Sequence, residues 1–177
     1  MPDASRSDGR GSEQRPPLLL AVYSWDMLSA ILAIFEALAP FAGGIALRTG
    51  RSEIPVGIQL LDALSPAMYA AVLILIASLL MRRQRWIQQA QIFTLSAAVL
   101  LQGIALAVTA VRGEIDVVPV LTTVLIMLFN ALAVMVMTER RVRIWYTEQT
   151  RTPRYIPASI ALWMASDVAL IVVAGLR

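Results

Sequence analysis

Four carboxylates stand inside long apolar runs of this 177-residue chain: Asp26, Glu36, Asp62 and Asp167. An ionisable group in hydrocarbon has no water to bond, so each needs a partner within the protein, a proton or an ion. Depth, counted at about 1.5 Å per residue, sorts them. Asp26 stands beside Trp25 near the start of its run, and Asp62 near the outer end of the next, which places both at interfaces where water is within reach. Glu36 and Asp167 lie about ten residues past Asp26 and Pro157 respectively, or roughly 15 Å into an apolar layer about 30 Å thick. Gln102 and Asn130 fall in the same central layer by the same count. Glu36, Gln102, Asn130 and Asp167 are therefore expected to form one polar layer drawn from four helices. No arginine stands within these cores, and a carboxyl without a counter-charge in a low dielectric is held in its neutral, hydrogen-bond-donating form. One chemistry that fits is interhelical hydrogen bonding, typically about 0.6 kcal/mol per contact and seldom above about 2. Another is a proton or monovalent-cation relay through Glu36 and Asp167, and a third is contact with a partner subunit that supplies the missing cation.

Much other chemistry is excluded by composition. With no cysteine there is no thiol nucleophile, disulfide or thiolate metal site, and with no histidine there is no imidazole base, haem ligand or ordinary zinc or copper site. All 15 Lys+Arg residues are arginine, which removes Schiff-base chemistry and a lysine-based phosphate loop. Neither an H-E-x-x-H nor a G-x-S-x-G motif occurs, nor a paired Asp-rich motif suited to diphosphate and magnesium. The methionines, Met127, Met135 and Met137 among them, fit lipid-facing or core positions better than a copper path. No catalytic group, metal site or cofactor is expected.

The elements that must hold these residues are membrane helices. Hydrophobic residues make up 58% of the chain, charged ones 15%, and the mean hydropathy is +0.70. A soluble domain is roughly 45–50% apolar and about 25% charged. The expected fold is all-α, a five-helix integral membrane bundle over residues 16–177, with spans at about 18–47, 56–81, 87–111, 117–138 and 157–176. Residues 1–15 are polar, rich in Gly and Ser, and read as a disordered cytoplasmic tail. Ala37-Leu38-Ala39 resembles a signal cleavage site, but Pro40 would directly follow the cut and the run is long for a signal peptide, so an uncleaved first span is expected. Pro40, Pro66 and Pro119 are candidate kinks. Small residues four apart recur at Ser29, Ala33 and Ala37; at Ala63, Ala67 and Ala71; at Gly103 and Ala107; and at Ala161, Ala165 and Ala169, as close helix packing in lipid requires.

Arginine placement gives the orientation. With the N-terminal tail inside, eleven arginines fall on the cytoplasmic side and four (Arg48, Arg51, Arg112 and Arg177) opposite. The inner clusters Arg82, Arg83 and Arg85, and Arg140, Arg141 and Arg143, adjoin span ends and are expected to meet anionic lipid headgroups; nucleic acid is not an expected partner. The second stretch is expected to prolong the fourth helix into the aqueous phase. The expected location is a plasma (inner) membrane, and arginine in place of every lysine fits a GC-rich bacterial genome. The expected role is a non-enzymatic accessory or structural subunit, or a homo-oligomer; the alternative is a small proton- or cation-coupled transporter or channel. Single cysteines at Gln84 and Gln149 should resist a membrane-impermeant thiol reagent in intact cells while one at Gly113 reacts, and labelling at Gln84 without lysis would reverse the orientation.

Overall fold

The computed structural model describes residues 16–46, 56–113 and 117–175. The chain is helical: α1 (Pro17–Ala46), α2 (Val56–Leu79), α3 (Arg85–Val111), α4 (Val117–Thr138), a short α5 (Arg140–Trp145) and α6 (Tyr155–Gly175). Five of these, all but α5, are long and apolar enough to cross a membrane, and each bound lies within two residues of the run seen in the sequence. The tail at 1–15 and the first connection, 47–55, lie outside the described residues.

Helix punctuation follows local chemistry. Pro17 and Pro119 sit in the first turns of α1 and α4, where the missing N–H has no carbonyl to serve, so Pro119 introduces no kink. Gly113 (φ 71°) closes α3 from the left-handed region, its N–H bonding the carbonyl of Ala110. Pro40 and Pro66 stand well inside α1 and α2. Each removes the N–H that would bond the carbonyl four residues back, which belongs to Glu36 in one helix and Asp62 in the other.

α1 packs most extensively on α2, α2 also on α6, and α3 on α4 and α6. The buried stripe of α1 runs Leu19, Val22, Asp26, Ser29, Ala33, Ala37, a three-to-four spacing that keeps one face on the bundle. Only this first small-residue series marks a packing seam. Ala67 and Ala71 of the second and Ala161 and Ala165 of the fourth are exposed, and Gly103 keeps room for a methyl group, its nearest neighbour being Met127 Cε at 3.5 Å. Alanine is so common here that chance produces the spacing, while α2 buries the larger Val72, Leu73 and Ile76 instead.

The arginine-rich end is clamped by polar contacts. α4 does not run on as expected: Glu139 adopts an extended backbone (φ −59°, ψ 142°), and α5 turns away to bury Val142 and Trp145 and expose Arg140, Arg141 and Arg143. Behind it, Arg83 and Arg85 pair with Glu148 through main-chain bonds of 3.0 Å, and the Arg83 guanidinium lies 4.3 Å above the Trp145 ring. The Tyr146 hydroxyl donates to the carbonyl of Leu80 (2.8 Å), and Gln88 Nε2 donates to Met137 O (2.6 Å), serving carbonyls at the ends of α2 and α4. Burial, and after it the nearby Asp26 carboxylate, push the Tyr146 phenol above its ordinary value of 10.0. Tyr146→Phe leaves the Leu80 carbonyl unserved and should cost about 1–3 kcal/mol. Because the folded phenol holds its proton where the unfolded one loses it, wild-type stability should fall as pH rises above 10, closing the gap to the variant. Unfolding midpoints in detergent at pH 8 and above pH 10 measure both effects.

Candidate functional site

Four of the five spanning helices, α1, α2, α3 and α6, each turn at least one polar residue toward one space. On α2 the residues are Asp62, Ser65 and Tyr69, on α3 Ala98 and Gln102, on α6 Trp163 and Asp167, and on α1 Glu36 and Pro40; all line a single cavity of about 430 Å³. The spacings are three or four residues throughout, so one helical face per element suffices. An adjoining cavity of about 360 Å³ shares Asp62, Gln102 and Asp167 and extends along α3 past Thr109 to Arg112. The polar space therefore runs from the bundle interior toward the Arg112 end.

Within it, Ser65 Oγ donates to Asp167 Oδ1 at 2.6 Å, and Glu36 lies within electrostatic reach of Asp167. Glu36 and Asp62 keep exposed surface, whereas Gln102 Oε1 is buried and lacks a hydrogen-bond partner. The Tyr69 and Trp163 rings stack at a tilt, their centroids 4.9 Å apart, and form the deep wall. The carboxylates face one space without converging: among the described residues, no group of three acidic side chains has metal-holding geometry. The cavity thus gathers carboxyl oxygens beside aromatic faces, and with those carboxyls ionised it would suit an organic cation.

Three members of the expected polar layer, Glu36, Gln102 and Asp167, thus share the cavity. The fourth does not. Asn130 is fully buried and accepts a 2.8 Å bond from Trp25 Nε1, and the Trp25 ring stacks on Phe129 at 4.7 Å. The Gln88–Met137 contact joins α3 to α4, and Asn130 faces Trp25 of α1 rather than the cavity. Depth along a helix does not fix its rotation, and the Trp25 indole holds Asn130 against α1.

Asp26 is also corrected. In place of an interfacial carboxylate reaching water, it is fully buried, and Gln91 Nε2 donates to both of its oxygens at 2.8 Å. The indole of neighbouring Trp25 donates inward to Asn130. Of the expected headgroup arginines, Arg82, Arg85, Arg140, Arg141 and Arg143 are exposed at one end, while Arg83 is half-buried on Trp145 and serves the fold. Ser65, Tyr69 and Gln91 had not been singled out in the sequence. Comparison with family models, with curated proteins and with solved structures finds no match to this chain.

Proposed function

We propose that this chain is a non-enzymatic, multi-pass membrane protein that takes a small organic cation into the cavity between α1, α2, α3 and α6, as a transporter or channel component. One observation carries the reading: Glu36, Asp62 and Asp167 line the same interior space beside Tyr69 and Trp163. Carboxylates are costly within a bilayer, and their gathering around an accessible space supports a role in holding a charged solute. Aromatic faces add cation–π attraction for an ammonium group. The orientation that arginine placement supports puts the N terminus inside and the cavity's Arg112 end outside, in a plasma membrane, with the exposed arginines on inner-leaflet headgroups.

The accessory-subunit or homo-oligomer reading favoured by the sequence has its own support in α4. Only Asn130, Ala133 and Met137 are buried along its 22 residues, which leaves a broad apolar face for lipid or for another helix.

Binding of tetraethylammonium to the chain in nanodiscs, followed by calorimetry, separates the two. Saturable binding is expected in the wild type, with Asp167→Asn and Glu36→Gln each weakening it by about tenfold or more, the worth of one lost charge contact at about 1.4 kcal/mol. Both variants should fold normally, since amides keep hydrogen-bonding capacity. Absence of binding, or binding indifferent to both substitutions, would defeat the proposal and leave the subunit reading, which co-purification of a stable partner would support.

A further inference from the structure

A second polar cluster lies deeper in the bundle, away from the cavity, and its chemistry differs. Asp26 is fully buried, and among the described residues no arginine lies within ion-pairing distance of it. Gln91 donates its amide to the carboxylate, but Gln91 Oε1, also buried, has no partner. One turn further along α1 and α3 stand Ser29 and Thr94, which are 5% and 0% exposed; both hydroxyls also lack hydrogen-bond partners. Because α1 and α3 run in the same direction and Gln91 meets Asp26, the next turn of each helix sets Ser29 and Thr94 at the same level.

These two hydroxyls differ from several other helical hydroxyls among the described residues. Those of Thr109, Thr122, Thr123 and Ser159 bond back to the carbonyl four residues earlier, the usual means by which a helical hydroxyl satisfies itself in lipid. Ser29 and Thr94 do not, although they are more buried. The Gln91 oxygen at a buried carboxylate, with two uncommitted hydroxyls one turn along the same two helices, supplies hard donors and one carboxylate.

We propose that Asp26, Ser29, Gln91 and Thr94 form an occluded site for a dehydrated monovalent alkali cation. One positive charge neutralises the Asp26 carboxylate, whereas a divalent ion would leave net charge in a low dielectric. Hydroxyl and amide oxygens replace the shed water, and all of them are groups that otherwise have nothing to bond. Tyr69 separates this site from the cavity: its ring lines the cavity wall, while its hydroxyl lies alongside Asn130 and within electrostatic reach of Asp26. The site stands independently of the organic-cation reading of the cavity.

The test compares unfolding midpoints and tryptophan fluorescence of the full chain in nanodiscs in sodium, potassium and N-methylglucamine chloride at equal ionic strength, Trp25 being next to the site. A saturable rise of the midpoint with sodium or potassium is expected. Asp26→Asn should abolish the rise, and Ser29→Ala and Thr94→Val should each weaken cation affinity by about tenfold or more. Thr94→Val keeps the side chain's shape and removes a buried unpaired hydroxyl, so it should fold even if Asp26→Asn does not. Asp167→Asn should leave the alkali-cation response intact while weakening tetraethylammonium binding, so the two sites fail separately. Equal midpoints in all three salts, as expected if the cluster holds only water, would overturn the proposal. So would an alkali-cation response that survives Thr94→Val and Ser29→Ala unchanged, or one that Asp167→Asn removes.

Discussion

Hydrocarbon offers no hydrogen-bond partner, and in this chain that scarcity governs where polar side chains are found. Backbone groups are served by helix formation, but each side chain that carries a donor or acceptor must find an answer inside the protein. Trp25 finds Asn130, Gln91 finds Asp26, Gln88 finds Met137 and Ser65 finds Asp167. Apolar burial cannot order helices relative to one another when the surrounding lipid is as apolar as they are. Contacts of this kind, with the tight seam at Ser29, Ala33 and Ala37, therefore set register and neighbourhood. They join α1 to α3 and α4, α3 to α4 and α2 to α6.

The same constraint separates polar groups by role. At the arginine-rich end, donors meet carbonyls at helix ends: Tyr146 serves Leu80 and Gln88 serves Met137, while Arg83 covers Trp145. That end is closed and its polar groups are largely matched. Further in, matching fails. Of the seven buried polar side-chain atoms without partners among the described residues, that of Gln91 is beside Asp26, those of Ser29 and Thr94 are one turn further along the same two helices, and that of Gln102 is on a residue lining the cavity. Unmatched groups are costly in a protein interior, and their uneven placement sets these regions apart from the closed arginine-rich end.

The helices were legible in the sequence because arginine, glycine and proline bracket each apolar run, and those residues mark interfaces and helix ends by their own chemistry. Three of the cavity's polar residues were legible too, from depth alone. What depth could not give was rotation and register. A tryptophan beside Asp26 reads as an interface signal, yet an indole N–H equally answers an internal amide, and Asp26 itself is buried. Asn130 matches the cavity residues in depth count but turns toward the Trp25 indole of α1, a rotation that depth does not carry. A signal was present in α3: Gln88, Gln91, Thr94 and Gln102 fall on one helical stripe, and that stripe touches both polar clusters. Periodicity of polar residues within an apolar helix carries the information that depth lacks.

The prolines give the cavity a mechanical property. Pro40 follows Glu36 by four residues, and Pro66 follows Asp62 by four, so two of the three carboxylate-bearing walls contain a weakened turn beside the charge. Bending at either joint swings the segment toward the Arg112 end against the segment that packs near Asp26. Asp167 stands on a helix with no proline beyond its first turn. Shape and charge spacing in this space are thereby coupled: a flexure that widens the mouth also pulls the carboxylates apart, and one that narrows it brings like charges together unless a positive charge lies between them.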